Sequence, residues 1–138
     1  MCDQKLKHLE FIQNVITRMN TNSFYIKGWT VTLISGLFVL SAKDSNISII
    51  QICYFVIPIF WCLDGFYLAQ ERRYRALYHE VTLKSNQDID FNMNASDKVK
   101  INKCIDWFCG IFSKTLIPYY VICIAAVIIV HITFITNT

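Results

Sequence analysis

Three apolar stretches, 24–42, 47–69 and 115–135, constrain this chain more than any other feature. An α-helix rises ~1.5 Å per residue, so each stretch is long enough to cross a hydrocarbon core of ~30 Å. In that medium every backbone N–H and C=O must be satisfied inside the protein, and a helix does so within one segment. The sequence therefore predicts an all-α membrane protein in one domain. It has three transmembrane helices, an N-terminal amphipathic helix over 4–20 and a cytoplasmic helix-loop-helix over 70–114. Composition agrees, because 54% of the residues are hydrophobic and gathered in long runs, which a soluble domain rarely tolerates. The opening MCDQKLKHLEF is polar and does not have the form of a signal peptide.

Charge orients the spans. Lys5, Lys7 and Arg18 precede the first span, and Lys27 stands at its edge. The loop KDSN between spans one and two carries only Lys43. Arg72, Arg73, Arg75, Lys84, Lys98, Lys100, Lys103 and Lys114 lie between spans two and three, and the final TNT carries no cation. The positive-inside rule places the N-terminus and 70–114 in the cytoplasm, and KDSN and the C-terminus outside. Net charge is only +3, which gives no reason to expect direct nucleic-acid binding. Trp29, Arg72, Arg73, Arg75 and Trp107 stand where membrane anchors belong, at the headgroup level.

In 4–20, Leu9, Ile12, Ile16 and Met19 recur at helical spacing as one apolar seam. The seam either packs on the protein's own cytoplasmic part or joins subunits. Asn20, Thr21, Asn22 and Ser23 are expected to break this helix, with Ser23 capping the first span. The short KDSN link makes spans one and two a tight antiparallel hairpin. Span two carries Pro58, expected to kink it, and then continues as a helix into QERRYRALYHEV. KSNQDIDFNMNAS is a polar loop, with Ser96 capping the next helix. In that helix Ile101, Ile105, Phe108 and Phe112 form one apolar, interfacial face.

The intramembrane polar residues are Lys27 and Asp64. A charge at membrane depth is costly and normally has a partner or a task. Lys27 lies 16 residues before Lys43, and Asp64 lies 18 residues after Asn46. In an antiparallel hairpin both then sit at one depth near the cytoplasmic boundary, which predicts that they meet, within a subunit or across subunits. A monomer this small is expected to leave Asp64 and the cytoplasmic apolar faces poorly covered, which favours an oligomer. His131 reads as a polar residue at the outer boundary.

Little points to catalysis. Gly28, Gly36, Gly65 and Gly110 are scattered and make neither a phosphate-binding loop nor GxxxG, and no nucleophile elbow or HExxH occurs. Arg73 and His79 fit the R-x(4–6)-H spacing of HEPN-type nucleases, in which the two act on an RNA phosphate. They are the weak catalytic candidates, set against a role for the arginines at lipid headgroups. Six cysteines lack paired ligand spacing, so neither a metal nor a cofactor is expected. The tyrosines Tyr67, Tyr74 and Tyr78 read as packing.

The segments HLEFIQNVITRMNTNSFYIKGW and FWCLDGFYLAQERRYRALYHEV resemble small multi-helix bacterial membrane proteins of the SLATT type and related accessory proteins of anti-phage defence, including those found with RADAR and some CRISPR systems. The resemblance covers 8–81, with the third span agreeing in character. It implies a non-enzymatic, homo-oligomeric effector or accessory of the bacterial inner membrane that forms a pore or perturbs the bilayer. The alternatives are a docking module that recruits a soluble defence partner through 70–114, and a membrane-tethered HEPN-like ribonuclease. The resemblance supplies no catalytic residues.

Overall fold

The computed structural model describes residues 2–44, 46–85, 89–95 and 103–136, with side chains from Gln4 onward except at 103–106. Four helices follow in order: α1 (Cys2–Asp44), α2 (Ile47–Leu83), α3 (Lys103–Ile111) and α4 (Leu116–Thr136). No strand occurs among the described residues. Three of the helices, α1, α2 and α4, are long and apolar enough to cross a membrane. α2 is the hub, since α1, α3 and α4 all pack on it.

α1 is one helix of 43 residues, without the expected break at Asn20–Ser23. The amphipathic segment 4–20 and the first span are therefore a single rod. Polar residues end a helix only when their side chains take over backbone groups, and Ser23 instead turns its hydroxyl to Asp64 on α2. The α1–α2 turn matches expectation. Asn46 caps α2, its side chain accepting from the Ser48 N–H at 2.9 Å. The buried Ser41 hydroxyl donates to the Asn46 carbonyl at 2.9 Å and closes the loop. α2 runs past Pro58 without interruption, and Pro58 stands on an exposed face.

Two apolar cores lie along this frame. The membrane-level core gathers Ile34 of α1, Ile50, Cys53 and Ile57 of α2, and Leu116, Tyr120 and Val127 of α4. The second core joins the polar halves of α1 and α2 into a stalk, with Ile12 and Ile16 against Leu77, Val81 and Ala95. Leu9, Tyr74 and Tyr78 pack around it, and Met19 is half-buried on the same seam. The seam is thus covered within the chain, by α2, and does not need a second subunit. Outside the cores, Phe24, Trp29, Val39, Phe55, Ile122 and Ile129 are each more than half exposed. In water such a surface would be untenable, but against lipid it costs nothing.

The stalk is tied at its far end. Lys5 donates to the carbonyls of Thr82 and Lys84, at 3.0 and 2.8 Å, placing a cation on the negative end of α2. The strap 89–95 folds back over the stalk through two successive Asx turns. Asn92 N–H donates to Asp90 at 3.2 Å and Asn94 N–H to Asn92 at 2.9 Å. Ser96, Ile101 and the side chain of Ile105 lie outside what is described. Of the expected α3 face, Phe108 and Phe112 are more than half exposed. α3 instead packs on α2 through its opposite side, Gly110 and Ile111. A Cβ on Gly110 would fall 2.5 Å from the Gly65 carbonyl oxygen, and one on Gly65 would fall 2.5 Å from Ile111 Cγ1. The two glycines let the backbones touch, although they stand on different helices.

Candidate functional site

Between the two cores lies a polar cluster centred on Asp64, which is fully buried. Helical spacing places Ser23 and Lys27 one turn apart on one side of α1, and the hairpin brings both opposite Asp64. Lys27 Nζ stands 2.5 Å from Asp64 Oδ2 and also donates to Ser23 Oγ at 2.8 Å. The Ser23 hydroxyl donates in turn to Asp64 Oδ1. From α4, the Tyr120 hydroxyl donates to Oδ2 at 3.3 Å. The Tyr119 hydroxyl donates to the Lys27 carbonyl at 2.8 Å, and the Tyr119 ring lies 6.0 Å from Lys27 Nζ. Thr30, fully buried on the same side of α1, returns its hydroxyl to the Ile26 carbonyl.

The cluster reaches α3 as well. Tyr120 stacks on Trp61 with ring centroids 5.5 Å apart and planes 11° from parallel. Trp61 Nε1 donates to the Ile111 carbonyl at 2.9 Å, at the C-terminal end of α3. One carboxylate thus organises all four helices. Both its oxygens are occupied and no face is open to solvent, so the arrangement acts as a structural clamp. The expected meeting of Lys27 and Asp64 occurs, and it occurs within one chain. The expectation that a monomer leaves Asp64 uncovered is therefore corrected: Ser23, Lys27 and Tyr120 enclose it without a second subunit. Neither tyrosine was legible as a partner, because nothing in sequence says which face of α4 turns inward.

The remaining candidates scatter. Arg73 is buried and His79 exposed. Six residues apart on a helix, they point about 120° away from each other, so the two do not converge on one phosphate within a chain. Arg72 donates to the Cys109 carbonyl at 3.2 Å and to Ser113 Oγ at 3.0 Å, so it holds the C-terminal turn of α3. Arg75 pairs with Glu71, Nη2 lying 2.6 Å from Oε1. Trp29 is 61% exposed, while Trp107 is half-buried and donates to the Cys62 carbonyl at 3.3 Å. The expected headgroup anchors thus include two arginines engaged with protein groups. His131 Nδ1 lies 3.1 Å from the Tyr54 hydroxyl and joins the N-terminal part of α2 to the C-terminal part of α4. Among the described residues no group of three His, Cys, Asp or Glu side chains is placed to hold a metal.

Sequence reasoning missed His8. It is fully buried in the stalk, and neither ring nitrogen has a hydrogen-bond partner among the described residues. Its ring packs on Phe91 of the strap at 5.2 Å between centroids. The signal was present: His8 stands one turn before Ile12, on the apolar seam. No family model, no curated protein and no solved structure matches the chain.

Proposed function

We propose that this chain is a non-enzymatic, homo-oligomeric effector or accessory of a bacterial anti-phage defence system, set in the inner membrane with its stalk in the cytoplasm. The defence setting rests on the resemblance of 8–81, and the continuity of α1 and α2 supports the coupling of stalk to membrane. Each passes unbroken from the apolar zone into the stalk, and the Lys27–Asp64 pair clamps them at the join. A load on the stalk therefore moves the lipid-facing surfaces as one body. That is the mechanical need of a protein that converts a cytoplasmic event into a disturbance of the bilayer. Oligomer formation draws support from Gly28, Thr32 and Gly36, which are exposed at four-residue spacing on α1, with open space beside both glycines. Helices approach closely over such small residues in lipid. With Asp64 enclosed, any pore runs between copies rather than through one.

Reconstitution tests this. Native mass spectrometry from mild detergent should give a multimer that Gly28→Leu with Gly36→Leu dissociates, and the wild-type chain should release dye from liposomes. A strict monomer refutes the oligomer, and tight liposomes at every protein density refute membrane perturbation. A docking module for a soluble partner is the second reading. It is favoured by Leu83 and Phe91, exposed at 76% and 42% near the stalk tip. Tight liposomes together with partner capture that Leu83→Ser abolishes would select it.

A further inference from the structure

A groove of about 360 Å³ runs along the stalk between α1 and α2, lined by Gln13, Ile16, Arg75, Tyr78 and His79. Its volume lies within the range of small-ligand sites, ~300–1,000 Å³. Arg75, Tyr78 and His79 share one side of α2, three and four residues apart, while Gln13 and Ile16 face them from α1. Every polar lining side chain can donate a hydrogen bond, and none is a carboxylate.

The carboxylate one turn before Arg75 is already spent, and Glu80, next to His79, pairs with Lys84. Glu71 is buried, and its Oε1 accepts from Arg75 Nε at 2.9 Å and pairs with Nη2 at 2.6 Å. This fixes the guanidinium plane while its remaining N–H groups stay exposed, the Arg75 side chain being 64% accessible. A pre-oriented guanidinium suits bidentate binding to phosphate oxygens better than a free lysine would. His79, one turn further, is exposed and presents a second nitrogen donor to the same space. The nuclease-type spacing pairs His79 with Arg73, whereas helical geometry sets it beside Arg75.

We propose that this groove binds a phosphate ester, with Arg75 and His79 on the phosphate oxygens and Gln13 and Tyr78 contacting the esterified group over the apolar floor of Ile16. Depth decides between sources. Arg75 lies eleven residues beyond Asp64, roughly 16 Å further along the helix at ~1.5 Å per residue. If Asp64 sits at the hydrocarbon edge, the groove lies past a headgroup layer only ~5–8 Å deep on each side. A soluble phosphate ester is therefore favoured over a lipid phosphate.

The test uses the full chain in phosphatidylcholine nanodiscs, titrated with phenyl phosphate and followed by the side-chain nitrogen resonances of Arg75 and His79. A second arm replaces the probe with phosphatidic acid doped into the disc. Saturable shifts in the first arm only support a soluble ligand, and saturation in the second arm, with competition by phenyl phosphate, assigns the same site to lipid. Arg75→Gln should weaken binding about tenfold or more, with partial recovery in Arg75→Lys. His79→Gln, which breaks no ion pair, should weaken it several-fold, so the test survives if Arg75→Gln fails to fold. Arg18→Gln, outside the groove, should change nothing. Absence of saturation in both arms overturns the proposal, as does equal weakening by Arg18→Gln, which would signal a diffuse basic surface. The oligomer and leakage measurements do not depend on this outcome.

Discussion

Removing Lys27 should cost more than removing Asp64's charge, and the two losses should not add. Lys27→Met leaves a carboxylate that is fully buried, held only by the Ser23 and Tyr120 hydroxyls. Stripping one partner from a buried ion pair typically costs about 3–5 kcal/mol. Asp64→Asn keeps an acceptor for Ser23 and leaves the lysine, whose side chain is 26% exposed. Its ammonium can swing to water on its long stem, so the cost should be about 1–3 kcal/mol. With both changes no uncompensated charge remains, and the coupling should reach about 2 kcal/mol, as expected for residues in contact. Reversible unfolding in mixed micelles measures each variant, with Trp61 as the reporter because it stacks on Tyr120 within the cluster. Two results refute the reasoning. One is coupling below about 0.5 kcal/mol, the scatter expected of independent sites. The other is Asp64→Asn proving costlier than Lys27→Met, which would mean that burial of the carboxylate is not what the lysine offsets.

Gly110→Ala should push α3 off α2, because the new methyl meets the Gly65 carbonyl oxygen at 2.5 Å. Overpacking of this kind costs about 1–3 kcal/mol, so proteolysis around 103–111 should accelerate, while Gly36→Ala, with open space beside it, should not change it. His8→Leu should stabilise the stalk by about 1 kcal/mol or more, since a buried polar group without partners is replaced by an apolar one; unfolding of the two proteins side by side decides this, and a loss of stability would reveal an unseen partner. The Asp90 carboxyl is held below its usual range, first by the Asn92 N–H and further by Lys84. Its folded value is lowered, so its contribution to the strap is present above the ordinary value of ~3.9 and is lost as pH falls through the lowered one. Carboxyl NMR should show Asp90 titrating late, and Asn92→Pro, which removes the donor, should bring it back towards the ordinary range.

The three spans, their lengths and the tight hairpin were determined by the sequence itself. A run of twenty apolar residues has few alternatives in any solvent, and four linking residues leave only an antiparallel turn. The common depth of Lys27 and Asp64 was equally readable, because depth along a helix is a count of residues. Rotation about the axis is not such a count. Which sides of α4 and α3 turn inward, hence Tyr119, Tyr120 and the Gly65–Gly110 contact, depends on surfaces met only after packing. The unbroken α1 shows the same limit. Asn20–Ser23 carries every local mark of a helix start, yet Ser23 finds its partner on another helix, 41 residues away. Local propensity is worth about 1 kcal/mol at a cap, and a buried carboxylate that needs a donor outweighs it. The seam of 4–20 was visible as a stripe, and helical spacing alone sets Arg75 rather than Arg73 beside His79, but only the fold decided that α2 covers the seam and that the strap closes over His8.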